Sequence, residues 1–158
     1  MDCVQSATPT KLRGIQQKQE MKNETTEKDT CTFGVHFTLD GYKGNPEKLN
    51  DPELMGRILN ELPEKLGMDK LTEPIVKYAE PRHIKDSGGY SGFVIIAESH
   101  ISIHTFPKKK FVSIDAYTCN NEMDSAWIER YFRDAYDLQE TEVQFFKRGL
   151  NFPKEDLA

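Results

Sequence analysis

Hydrophobic positions in this chain fall into two rhythms, broken by polar and turn-forming stretches. From Thr32, the residues Phe33, Val35, Phe37 and Leu39 alternate with Gly34, His36 and Thr38, the period-two pattern of a strand with one buried face. The run DGYKGNP ends it, because Gly, Asn, Asp and Pro favour turns. Asn50 or Asp51 then offers a helix cap with Pro52 at the first helical position. Leu54, Met55, Ile58, Leu59 and Leu62 recur on one helical face, with Pro63 expected to disturb the helix and Gly67 to close it. Ile75–Ala79 reads as a short strand. The apolar runs Phe93–Ala97 and Phe111–Ala116 flank the alternating segment His100–Phe106, which predicts three strands in succession. A second helix is predicted from Asp124 to about Tyr136, burying Trp127, Ile128, Tyr131, Phe132 and Ala135, and Val143–Phe146 gives a last strand.

Strands gathered into hairpins with two helices predict an α+β fold, a two-layer sandwich in which helices cover one face of a mainly antiparallel sheet. The uncovered face would expose apolar residues, so a partner sheet is expected. Residues 1–30 are polar, charged and without periodicity, which predicts a tail with no fixed fold. Residues 31–150 form the predicted domain, and 151–158 a polar C-terminal tail. At 158 residues the chain has room for one domain with a real core.

Charge and cysteine content narrow the function. A formal net charge of -5 argues against a nucleic-acid binder, which is usually basic. No 18-residue apolar run occurs and the N-terminus lacks an apolar stretch, so neither a membrane span nor a secretory signal is expected. Cys3, Cys31 and Cys119 are odd in number and far apart. They suggest no disulfide framework and no zinc site, and a cytoplasmic location is expected.

The polar chemistry concentrates between Tyr90 and Asn120. Ser91-Gly92, Glu98-Ser99-His100, Ile103-His104-Thr105, Pro107, Asp115 and Thr118-Cys119 lie at the ends and turns of predicted strands, where a rigid frame can aim them. This block resembles, without a gap, the processing and active-site region of the prokaryotic-type S-adenosylmethionine decarboxylases. A weaker likeness surrounds Gly34–Asp40. The resemblance implies an αββα dimer, with two sheets packed face to face.

Amino-acid decarboxylation needs an electron sink, commonly borrowed from pyridoxal phosphate. This chain has no convincing phosphate-binding glycine loop and no lysine in a Schiff-base context. The resemblance implies that the chain makes its own electrophile and uses neither pyridoxal phosphate nor a metal. Ser99 would attack the carbonyl of Glu98, the chain would split between them, and residue 99 would become a pyruvoyl group able to form a Schiff base with a small-molecule amine substrate. Two chains would result, and the expected assembly is a homodimer of such αβ pairs. By position, Ser91 and His104 would serve the processing step and Cys119 would donate a proton to the substrate carbon. A thiol suits that task, its reference pKa of about 8.5 lying near neutrality. His104 lies five residues past Ser99, which in an ideal strand puts the two on opposite faces. A bend at Ser99 is therefore expected. His36, His83 and His100 are expected to be structural.

Substrate contacts depart from the family pattern. Members that bind S-adenosylmethionine place a stacking phenylalanine fourteen residues before the reactive serine and a ribose-binding glutamate nine after it. Here those positions hold Lys85 and Lys108. Phe106 remains as an aromatic, Asp40 stands where the family commonly has glutamate, and Tyr90, Glu80 or Asp86 could fill the missing roles. The expected function is S-adenosylmethionine decarboxylation in polyamine (spermidine) biosynthesis. The alternatives are ornithine or arginine decarboxylation on the same scaffold, or a non-catalytic regulatory subunit of an active paralogue.

Overall fold

A computed structural model describes residues 32–82, 84–85 and 87–153. The tail expected over 1–30, together with His83, Asp86 and residues 154–158, lies outside them. The first strand, β1, runs Gly34–Tyr42 and buries Val35, Phe37 and Leu39, as its alternation requires. The turn after it contains a short helix, α1 (Pro46–Leu49), whose cap Asn45 accepts from the amides of Glu47 and Lys48. Next comes α2 (Pro52–Lys65), with Asp51 accepting from the amides of Glu53 and Leu54 and Pro52 at its start. Pro63 does not end α2. It forfeits one backbone donor in the last turn while its ring is buried, and the helix runs on to Lys65. Gly67 follows with φ +69°, a left-handed turn that glycine takes without a Cβ penalty.

The remaining strands are β2 (Asp69–Lys70), β3 (Ile75–Ala79), β4 (Gly89–Ala97), β5 (Ser99–Phe106), β6 (Phe111–Thr118) and β7 (Glu140–Arg148), with α3 (Ser125–Tyr136) between the last two. Asp124 caps α3 by accepting from the Trp127 amide. All pairings are antiparallel. The sheet order is β2-β4-β5-β6-β1-β7, with β3 also on the outer edge of β4. Several strands exceed their predicted spans: β1 reaches Tyr42, β4 begins at Gly89, β6 reaches Thr118 and β7 runs Glu140–Arg148, because pairing with neighbouring strands extends them past their apolar centres.

One core lies between the sheet and the helices. Val94, Ile96, Ile101, Ile103, Val112, Ile114 and Ala116 project from the sheet towards Met55, Ile58, Leu59 and Leu62 of α2 and Ile128, Phe132 and Tyr136 of α3. Among the described residues the other sheet face carries no helix, so the predicted two-layer α+β sandwich is the observed one. The polar C-terminal stretch is not wholly detached, since the Phe152 ring packs at a tilt on Phe33, 4.7 Å between centroids.

Candidate active site

Strand register fixes which side chains share the open face. One row crosses six strands: Lys77, Ser91, His104, Ser113, Asp40 and Glu142 are successive cross-strand partners. Two residues along lies the row Ile75, Phe93, Ser102, Asp115, Thr38 and Gln144, and two further Ile95, His100, Tyr117, His36 and Phe146. Direct cross-strand partners sit about 5 Å apart, close enough for side chains to interact. Glycine makes one of these approaches possible. A Cβ on Gly34 would lie 2.1 Å from the Thr118 carbonyl oxygen, so only glycine lets the start of β1 pass the end of β6 beside Cys119.

The predicted site residues fall into two groups at opposite ends of this face. In the first, Ser91 Oγ and His104 Nδ1 share a hydrogen bond of 2.9 Å between directly paired residues. Lys108 lies on the same end in the one-turn helix Pro107–Lys109, and Lys85 in the connection from β3 to β4. Phe106 lies here too, packed at 5.6 Å on Phe111, which in turn meets Tyr42 at 5.3 Å. Tyr90 is turned away, edge-on to Tyr78 at 5.2 Å and packed against the helix-side core. Asp40 is half-buried, two strands from His104 across Ser113.

The second group surrounds the link expected to break. Ile96 pairs with Ser99, leaving Ala97 and Glu98 as the turn between β4 and β5, with a cis peptide between those two. The Cys119 thiol donates to the Glu98 carbonyl oxygen at 3.2 Å. Burial, and next the Glu98 carboxylate, push the Cys119 thiol up from its ordinary value, so the sulfur keeps its proton at neutral pH. Beside it, Arg148 lies 4.3 Å over the Tyr117 ring, and His36 Nε2 is 3.1 Å from Asp115 Oδ1.

The two groups do not meet within one chain. Five positions of strand separate Ser99 from His104, a span of about 16 Å at ~3.3 Å per residue. Ser99 is distorted as expected, with φ +158° directly after the Ala97-Glu98 turn, but the distortion does not carry His104 back towards it. The hairpin register runs through without a bulge, so Ser99 pairs with the buried positions Ile96 and Thr118 while His104 stays on the open face.

Residues 35–149 match the family described as S-adenosylmethionine decarboxylase. The chain belongs to that family. An S-adenosylmethionine decarboxylase proenzyme from Clostridium botulinum is 32% identical over 116 residues, covering 73% of this chain and 94% of that one. The proenzyme of Pyrococcus furiosus is 30% identical over 119 residues, 75% of this chain and 81% of the relative. A crystal structure of adenosylmethionine decarboxylase from Aquifex aeolicus shares the fold with a TM-score of 0.64 at 24% identity, covering 80% of this chain and 98% of that one. Family membership makes the chain a carboxy-lyase.

Within that family frame, three further groups lie on the open face. His36, expected to be structural, has its ring on the open side, tied to Asp115. Lys77 and Arg148 carried no local signal, because only pairing across strands brings Lys77 beside Ser91 and lays Arg148 over Tyr117. No group of three or more His, Cys, Asp or Glu side chains among the described residues could hold a metal ion. No helix among them is long and apolar enough to cross a membrane.

Proposed function

We propose that this S-adenosylmethionine decarboxylase family member cuts itself between Glu98 and Ser99 and then decarboxylates S-adenosylmethionine. One observation carries the reading: the Cys119 thiol sits 3.2 Å from the oxygen of the carbonyl that Ser99 would attack. A donor there can stabilise the developing oxyanion. Ser99 supplies the nucleophilic oxygen, and the carbon–nitrogen bond of Glu98 is exchanged for an ester. The pyruvoyl group left at residue 99 supplies an electron sink for the bonding pair freed as carbon dioxide departs. Cys119, held as a thiol by burial, has a proton to give the substrate carbon.

His104 and Ser91 belong to this scheme through a second copy of the chain. A general base must approach within about 3 Å of the proton it takes, and the ~16 Å span within one chain forbids that. A two-fold, sheet-on-sheet dimer would bring the Ser91–His104 end of each chain over the Glu98–Ser99 end of the other. Phe93, Ile95 and Phe146 lie exposed on the open face, apolar surface that such a pairing would bury.

The second reading, arginine or ornithine as substrate, rests on Lys85 and Lys108. Neither can accept hydrogen bonds from ribose hydroxyls, and neither offers a stacking face. Intact mass and a denaturing gel test the cut: two fragments divided before residue 99 are expected, and one unbroken chain with an ordinary serine there refutes it in favour of a regulatory subunit. Carbon dioxide release from S-adenosylmethionine, ornithine and arginine in parallel decides the substrate.

A further inference from the structure

The oxygen that accepts from Cys119 changes character when the chain is cut. Before cleavage it is the neutral carbonyl oxygen of Glu98, 3.2 Å from Sγ. Ser99 Oγ bonds to that carbonyl carbon, the carbon–nitrogen bond breaks, and the amine of residue 99 is freed. Loss of the residue 99 α-proton then breaks the Cβ–Oγ bond, leaving Glu98 with a terminal carboxylate made of its own oxygen and the former Ser99 hydroxyl oxygen. One water converts the remaining dehydroalanine into the ketone and releases ammonia. The balance is one peptide link and one water for one carboxylate, one pyruvoyl group and one ammonia, with no oxidant or reductant. A unit of negative charge thus appears at the place where the thiol already donates.

We propose that this new terminal carboxylate remains against Cys119 and keeps the thiol proton-bearing and aimed, so that the cut which creates the electron sink also prepares the acid. The inference rests on the self-cleavage reading and gives Glu98 a role after the cut as a positioning residue. A hydrogen bond to an ionised acceptor is shorter and roughly twice as strong as one to a neutral carbonyl. A nearby anion also raises the cost of a thiolate. The side chains facing this end from neighbouring elements are His100 on β5, His36 with Asp115 across β1 and β6, and Arg148 on β7, while the Glu98 side chain and Glu122 come from the adjoining turns. All of them, and whatever a second copy adds, are common to the uncut and cut forms. Only the released carboxylate differs in charge.

Alkylation of Cys119 by iodoacetamide, followed peptide by peptide in a mass spectrometer across pH, reads this directly. The cut wild-type enzyme is compared with uncut Ser99→Ala, and with uncut His104→Ala should Ser99→Ala fail to fold. The inflection of the cut form is expected about one pH unit higher, the scale of a unit charge some 4 Å away in a water-exposed setting. An equal or lower inflection overturns the inference while leaving self-cleavage standing. The cut form of Glu98→Gln should retain the upward shift, since its terminal carboxylate remains; loss of the shift there would assign it to the side chain and also overturn the inference. A wild-type chain that never cuts overturns both readings together.

Discussion

Mixing two inactive variants tests whether the two halves of the site come from different chains. Ser99→Ala lacks the nucleophile but keeps Ser91 and His104, whereas His104→Ala keeps the nucleophile and lacks the ring. In one chain the missing and surviving groups lie about 16 Å apart along β5, roughly five times the reach of a proton transfer. Neither variant alone is therefore expected to cut. When equal amounts are co-expressed with distinguishable tags, random pairing puts about half of the His104→Ala chains in mixed two-fold dimers. There each meets an intact Ser91–His104 pair, and about half of the His104→Ala chains are expected to be cut on a denaturing gel, with every Ser99→Ala chain whole. Two outcomes refute the reasoning. Cutting of His104→Ala by itself at the wild-type rate would remove His104 from the chemistry. Confirmed mixed dimers with no cutting would mean that a second copy does not complete the site.

Other substitutions test the frame and the pocket. The Tyr136 hydroxyl is buried without a hydrogen-bond partner among the described residues, so Tyr136→Phe should stabilise the chain by about 1 kcal/mol; a lower urea midpoint with unchanged slope would show that the hydroxyl is satisfied. Gly34→Ala would press a Cβ to 2.1 Å from the Thr118 backbone oxygen, while Gly92→Ala meets first the flexible ends of Leu59 and Met55 at 2.8 Å, with the Ile75 backbone oxygen farther off at 3.2 Å. Losses of about 3 and about 1 kcal/mol are expected by urea unfolding, and equal losses would contradict the backbone-versus-side-chain distinction. Restoring the family residues with Lys85→Phe and Lys108→Glu should raise kcat/KM for S-adenosylmethionine about tenfold, the scale of one stacking contact. An unchanged value would show that another part of the surface holds the nucleoside.

Much of the fold was legible because period and composition report directly on burial. Alternation placed Val35, Phe37 and Leu39 inside, and the spacing of Ile128, Phe132 and their neighbours placed α3 against the sheet. One cap was legible to within a residue, Asn50 or Asp51 being offered and Asp51 accepting from helix amides, while Asp124 was expected to open its helix and instead caps it. The short helix after Asn45 was not legible, because a polar turn run has no period to reveal it. Pro63 misled because its penalty counts in a helix interior, whereas here it falls in the final turn with a buried ring. For the site, the Tyr90–Asn120 block gave the residue types and their order along the chain. It could not show distance, since Ser99 and His104 are near in sequence but stand far apart along a strand.

Pairing between strands supplies what order along the chain cannot. Asp40 stands where the family commonly has glutamate, and register puts it on the same row and face as His104, with only Ser113 between. The same row carries Lys77, so a cation and a carboxylate flank the Ser91–His104 pair on the open sheet. A sheet face left polar along its functional rows and apolar at Phe93, Ile95 and Phe146 suits two tasks at once, holding a reactive site and accepting another sheet. Those tasks are coupled by the ~16 Å span. A chain able to complete its site alone would need a break in β5 to carry His104 back to Ser99, and the unbroken ladder from Ser99 to Phe106 excludes it. In the proposed scheme, the regularity that gives β5 its stability is what assigns the Ser91–His104 end to a second copy.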